Sequence, residues 1–261
     1  MKKTLIVGNW KMHLNTQQAS LLVRRLGERV PQHRDIETVL APSMLTLQPI
    51  SLEVDRRKFR LAAQNANAQD LGALTGEVSF AMLSGLVHYG IIGHSERRKY
   101  FAETNKDVRA KVAAAVRNEI TPIICVGETR VERTNHETKQ VVREQVVTAL
   151  RDLTGPEAAE VVIAYEPVWA IGAGRPASAA AIAESVAYIR LIVEGQFGKK
   201  VADSVRILYG GSVEPDYVTN ILSIDNVDGF LVGGASLNYQ QFAQIVSKAH
   251  ALEAAKEKDA K

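Results

Sequence analysis

The run Val161-Val162-Ile163-Ala164-Tyr165-Glu166, VVIAYE, is apolar almost to its end and then stops on a carboxylate. It is short, and it does not alternate. Such a run reads as a strand buried on both faces, as in a parallel sheet. Seven more lie along the chain: LIVGN (5–9), TVLAP (38–42), RLAAQN (60–65), GIIGH (90–94), PIICVG (122–127), VRILYGG (205–211) and GFLVGG (229–234). Longer segments with helical periodicity separate them. Val142, Val146 and Leu150 share one helix face; Phe242, Ile245, Val246 and Ala249 share another. Thr104 to Asp107 and Thr129 to Glu132 have capping-box spacing. Eight strand–helix units in 261 residues predict an α/β fold, a closed (β/α)8 barrel. An open doubly wound sheet is the alternative, weakened because no G-x-G-x-x-G follows any strand.

No Pro/Ser-rich linker or shift in composition divides the chain, so residues 1–261 are expected to form a single domain. Its core should span about 4–250, and the tail 251–261 reads as a fraying helix end. Hydrophobic residues make up 46% and charged residues 23%, enough for a sizeable core. The net charge is +3, without a basic stripe or interleaved Arg and aromatic residues, so no nucleic acid partner is expected. No apolar segment approaches the roughly 20 residues of a membrane helix, so no membrane is expected. The opening MKKTLIVGNW starts on lysines like a signal peptide. Its apolar run is brief and meets Asn9, Trp10 and Lys11, which reads as a first strand. The single cysteine, Cys125, sits in an apolar run, which fits a reducing, cytoplasmic compartment.

In such a barrel the active site lies at the C-terminal ends of the strands. Strand one ends at Asn9, with Lys11 beyond. Strand four ends at His94, followed by Glu96. Strand six ends at Glu166. The last two end in Gly210-Gly211-Ser212 and Gly233-Gly234. Bare backbone N–H groups at such turns suit a phosphate. A carboxylate base, a neutral donor and a lysine around it suit proton abstraction next to a carbonyl. Taken singly, Glu166 reads as a solvated strand end, Lys11 as a surface lysine and His94 as a structural histidine. Their convergence on one barrel mouth reverses that. His13, His33, His88, His136 and His250 lack such placement and read as structural or surface residues. Cys125 and Trp10 read as packing, and Asp55 to Lys58 as a solvated turn. Arg97 and Arg98 read as partners for acids at a subunit boundary. Behind Glu166, Pro167-Val168-Trp169 reads as a hinge. Ala170-Ile171-Gly172-Ala173-Gly174 reads as the tip of a lid that excludes water from the base.

GNWKM (8–12), GHSERR (93–98), AYEPVWAIG (164–172), YGGSV (209–213) and VGGASL (232–237) occur in the order and spacing of one family. AQN (63–65) and GALTGEVS (72–79) fit it as well. Over residues 4 to 250 the chain resembles the triosephosphate isomerases. The resemblance implies a TIM barrel that interconverts dihydroxyacetone phosphate and D-glyceraldehyde 3-phosphate in glycolysis and gluconeogenesis. It implies a cytoplasmic homodimer that uses no metal and no organic cofactor. Residue by residue it implies that Glu166 is the base, and that His94 polarises the carbonyl. Lys11 faces the substrate oxygen and phosphate, Asn9 is a donor beside it, and Glu96 supports the site. Gly172, Ser212, Gly233 and Gly234 hold the phosphate. The lid runs from Pro167 to Ala177, latched when closed by Tyr209 to the Ala177 N–H and by Ser212 to the Gly174 N–H. The loop tip Thr75-Gly76 enters a neighbouring subunit. A helix opening after His94 disfavours a charged imidazole there.

The sequence departs from the family's usual pattern at Arg175-Pro176-Ala177, at Ala173 and at Leu74. These departures bear on lid motion and the interface. Two rival readings stand. Another phosphate-binding barrel, a decarboxylase or synthase, predicts a different acid–base set and no hinged lid. A catalytically dead barrel predicts surface binding alone.

Overall fold

The computed structural model describes residues 2–259. Eight parallel strands succeed one another around it: β1 (Thr4–Asn9), β2 (Ile36–Ala41), β3 (Phe59–Ala63), β4 (Tyr89–Ile92), β5 (Thr121–Val126), β6 (Val162–Tyr165), β7 (Arg206–Tyr209) and β8 (Gly229–Val232). Each pairs with the next, and β8 returns to β1 in the register Leu5↔Gly229 to Gly8↔Val232. That closing ladder excludes the open doubly wound sheet. The barrel is therefore a (β/α)8 TIM barrel.

The continuous apolar runs have a two-sided cause. Leu5, Val7, Val39, Ile123, Cys125, Val162 and Ala164 form a core inside the barrel. Ile6, Leu40, Ile124, Ile163 and Ile207 alternate with them and join a larger core under the helices. Side chains still alternate along each strand, but both destinations are apolar.

The helices bury the faces expected of them. Val142 and Val146 are buried on helix Thr138–Ala149, with Leu150 just past its end. Phe242, Ile245, Val246 and Ala249 are buried on helix Tyr239–Asp259, each larger side chain contributing about 1.5–3 kcal/mol. That helix carries the tail through Asp259; residues 260 and 261 lie outside the described residues. Both expected capping boxes form. Thr154 and Glu157 make another, and Asn15 and Gln18 a variant with amide side chains. Among the described residues no helix is long and apolar enough to cross a membrane.

Candidate active site

Asn9 is the last residue of β1, and Lys11 lies just beyond it at φ +52°. That left-handed conformation costs a side-chain-bearing residue roughly 1–2 kcal/mol. Three contacts hold it. Asn9 Oδ1 accepts the Lys11 N–H at 3.0 Å, the Gln64 side-chain amide donates to the Lys11 carbonyl at 2.9 Å, and Lys11 Nζ pairs with Glu96. The ammonium is thus fixed at the barrel mouth.

β4 ends at Ile92, two residues earlier than the sequence suggests, because Gly93 turns the chain out of the sheet at φ +73°. The Gly93 N–H then donates to buried Glu103 at 3.0 Å. His94 caps the helix Ser95–Tyr100, the helix opening expected after it. The Glu96 N–H donates to His94 Nδ1 at 3.2 Å, so the ring's proton sits on Nε2.

Glu166 directly follows β6 rather than ending it; its own N–H still donates to the Val126 carbonyl at 2.7 Å. The side chain is 2% exposed, with Oε1 3.0 Å from His94 Nε2 and Oε2 accepting the Ser95 N–H at 2.9 Å. Gly210 makes room for it, since a Cβ there would stand 3.0 Å from Glu166 Cγ. Burial alone would raise the Glu166 pKa. The His94 ring, the Ser95 N–H and Lys11 outweigh burial and hold it below the ordinary value. Burial likewise disfavours a charged His94, but the adjoining Glu166 carboxylate prevails and raises its pKa. The helix start that argues for a neutral ring therefore meets a nearer, stronger charge.

Asn9, Lys11, His94 and Glu166 share a cavity of about 320 Å³ with Gly172, Ser212, Gly233 and Gly234. Glu96 lines a second, adjoining cavity of about 330 Å³ that also reaches Asn9, Lys11 and His94. A larger cavity of about 460 Å³ opens at the opposite, N-terminal ends of β2 and β3. Lys3, Arg56, Arg57 and Arg60 surround it, and none of the sequence-nominated groups lies there.

The sequence model of the triosephosphate isomerase family matches residues 4–249. The chain belongs to the triosephosphate isomerase family. It is 43% identical over 248 residues to a triosephosphate isomerase of Clostridium perfringens, covering 95% of this chain and 100% of that one. Its identity to the triosephosphate isomerase of Citrifermentans bemidjiense is 45%, over 94% and 98% of the two chains.

In this member of the triosephosphate isomerase family the segment after Glu166 has fixed ends and a projecting tip. Pro167 precedes a 3₁₀ turn, Val168–Ala170. The Trp169 indole N–H donates to Glu128 at 2.8 Å, and the Tyr165 hydroxyl donates to the same carboxylate at 3.1 Å. Arg133 pairs with Glu128 at 3.1 Å and lies 4.3 Å from the Trp169 ring centre. Residues Gly172 to Arg175 are exposed. Gly172 and Gly174 adopt φ of +69° and +71°, which favours glycine at both. At the far end the Ala177 N–H donates to the Tyr209 hydroxyl at 3.0 Å, as the resemblance implies. Ser212 differs: its hydroxyl donates to the Ala170 carbonyl at 2.9 Å instead of meeting the Gly174 N–H.

Two positioning residues escaped the sequence reading. Glu128 follows the fifth strand run as Glu166 follows the sixth, so the strand-end rule pointed to it. Gln64 directly follows β3, within the AQN motif, so the same rule pointed to it; its amide donates to the Lys11 and Ala41 carbonyls, both at 2.9 Å.

Proposed function

We propose that the chain interconverts dihydroxyacetone phosphate and D-glyceraldehyde 3-phosphate with Glu166 as the base. One observation carries this reading: a buried carboxylate 3.0 Å from an imidazole N–H, beside a fixed lysine, in a cavity sized for a small phosphate ester. Glu166 takes the proton from C1 of the ketone. His94 Nε2 and Lys11 Nζ stabilise the negative oxygen of the resulting enediolate. The same carboxyl returns the proton to C2, while a hydroxyl proton passes between the two oxygens through His94. One C–H bond breaks and one forms, so no redox partner is needed. Asn9 donates beside Lys11, and Glu96 holds Lys11 in place. Backbone N–H groups at Gly172, Ser212, Gly233 and Gly234 receive the phosphate.

Both Glu166 oxygens are engaged before substrate arrives. The carboxylate must leave those partners to reach a carbon, and losing them raises its proton affinity at the moment of need. Closing Pro167 to Ala177 over the cavity keeps water from the base and from the enediolate. This acid–base set and hinged lid disfavour both a different phosphate-binding barrel and a dead one.

The active form on this reading is a homodimer. Met12 is 94% exposed and Phe101 67%, beside the long exposed loop that carries Thr75-Gly76. The 330 Å³ cavity between Lys11, Gln64, Glu96 and Phe101 is the receptacle we assign to that tip from a second copy. A cytoplasmic place in glycolysis and gluconeogenesis fits the buried free thiol of Cys125.

A coupled assay with dihydroxyacetone phosphate in chelator-containing buffer tests the reading. Full turnover that collapses in Glu166→Gln is expected. Absence of turnover in the unaltered protein would overturn it.

A further inference from the structure

His33 and His250 lie 217 residues apart in sequence, yet their rings stack with centroids 3.7 Å apart and planes 22° apart. Asp35 completes the group: its two carboxylate oxygens stand 2.8 and 2.9 Å from His250 Nδ1. One ligand atom from each of the three side chains can be chosen so that all lie within 4.8 Å of one another. The Asp35 carbonyl accepts the Thr4 N–H at the start of β1, so the group sits at the opposite end of the barrel from Glu166. It joins the stretch before β2 to the second half of helix Tyr239–Asp259.

Several features of this group point to a ligand. Among the described residues His33 Nε2 is sheltered from solvent and has no hydrogen-bond partner, which is costly for a polar atom. Two imidazoles and one carboxylate make the ligand set preferred by borderline, zinc-class ions over calcium or magnesium. Tetrahedral bonds of about 2.0–2.2 Å place ligand atoms roughly 3.3 Å apart. Near-parallel stacked rings aim their lone pairs past each other, so binding requires the two imidazoles to unstack by rotation about their side-chain bonds. The partial exposure of His250 and the 4.8 Å grouping of the ligand atoms permit this. An ion at His250 Nδ1 would displace the proton now shared with Asp35, so the carboxylate already faces the right nitrogen.

We propose that His33, Asp35 and His250 bind a divalent zinc-class ion, with water completing the shell, and that the ion clamps the C-terminal helix to the base of the barrel. The site is remote from the isomerase cavity and supplies nothing to its chemistry. Binding only the folded chain, the ion stabilises it by mass action.

The test uses full-length protein stripped with a chelator, then titrated with Co²⁺ by visible absorption and with Zn²⁺ by calorimetry. One ion per chain is expected, with a ligand-field band of low coordination number and a Tm that rises with zinc. His33→Ala and His250→Ala should each weaken binding at least tenfold, in line with the loss of a metal ligand. His136→Ala should not. Turnover should be the same with and without the ion. Circular dichroism checks that the variants fold, which the partial exposure of both rings favours. Failure of the unaltered protein to bind stoichiometrically would overturn the proposal and leave Asp35–His250 as a plain hydrogen-bonded contact. Binding that survives the double substitution of His33 and His250 would overturn it too. Neither result touches the isomerase reading, which rests on a different assay.

Discussion

Glu166 Oε1 lies 3.0 Å from His94 Nε2, so the proposed base and the proposed electrophile are bonded to each other before substrate arrives. A substrate must part them. Its oxygen then takes the place at Nε2 that the carboxylate gives up, and the carboxylate is released toward the carbon. This exchange works only if the side chain of Glu166 has the right reach.

Glu166→Asp withdraws the carboxylate by one methylene, an offset of about 1 Å. A misplacement of that size costs on the order of a hundredfold when the base must meet a carbon-bound proton. The loss should fall on kcat, with KM little changed. Steady-state kinetics in both directions measure it, and undiminished turnover would mean that another residue is the base.

Glu103 is buried and accepts from the Gly93 N–H, from Arg97 and from Lys111 at 2.9 Å. Burial works to raise its pKa, but the Lys111 and Arg97 contacts outweigh burial and lower it from 4.5. The folded value lies below the unfolded one. Its stabilising contribution is therefore complete above the unfolded value and is lost as pH falls through the folded value. Glu103→Gln should cost about 1–3 kcal/mol at neutral pH, by leaving charged donors without their acceptor. Urea denaturation across the acid range should show that difference shrinking toward zero. A gap that stays constant with pH would refute the assignment.

Deleting Ala73 to Glu77 removes the exposed tip that we place in the partner's second cavity. The bonds that close the loop's base, Asn67 N–H to Val78 carbonyl at 2.8 Å among them, bracket the deleted stretch. We expect a folded monomer of very low activity. Sedimentation velocity and the coupled assay decide it, and a fully active dimer would sink the idea.

Pro176 immediately precedes the Ala177 N–H that meets the Tyr209 hydroxyl. The proline removes its own N–H, not the one the latch uses, and it restricts Arg175. Pro176→Thr should keep kcat within about tenfold, because no reacting group moves. It should weaken a phosphoglycolate-like inhibitor by about 0.4–1 kcal/mol, through the entropy of a looser hinge. Tighter binding by the variant would mean that the proline strains the closed lid.

The eight strands, the closed barrel they predict and the polar residues at their ends were legible because each depends on short-range pattern. Periodicity sets burial, glycine and proline set where a strand stops, and a residue at a strand's C-terminal end has one mouth to face. Boundaries were less legible: β4 stops at Ile92 because Gly93 turns away to reach Glu103, ten residues on. Side-chain contacts were legible where they are local, as in the capping boxes at Thr104 and Thr129, or implied by the resemblance, as at Tyr209 and Ala177. Other long-range meetings were not. Glu128 meets Trp169 across 41 positions, and Asp35 meets His250 across 215. The charge balance of His94 likewise depends on Glu166, 72 positions away by their numbers. The sequence by itself determined the strands and the chemistry available at their ends. Only the tertiary structure decided which groups are paired, because closing β8 onto β1 brings distant residues together, and no local pattern encodes those meetings.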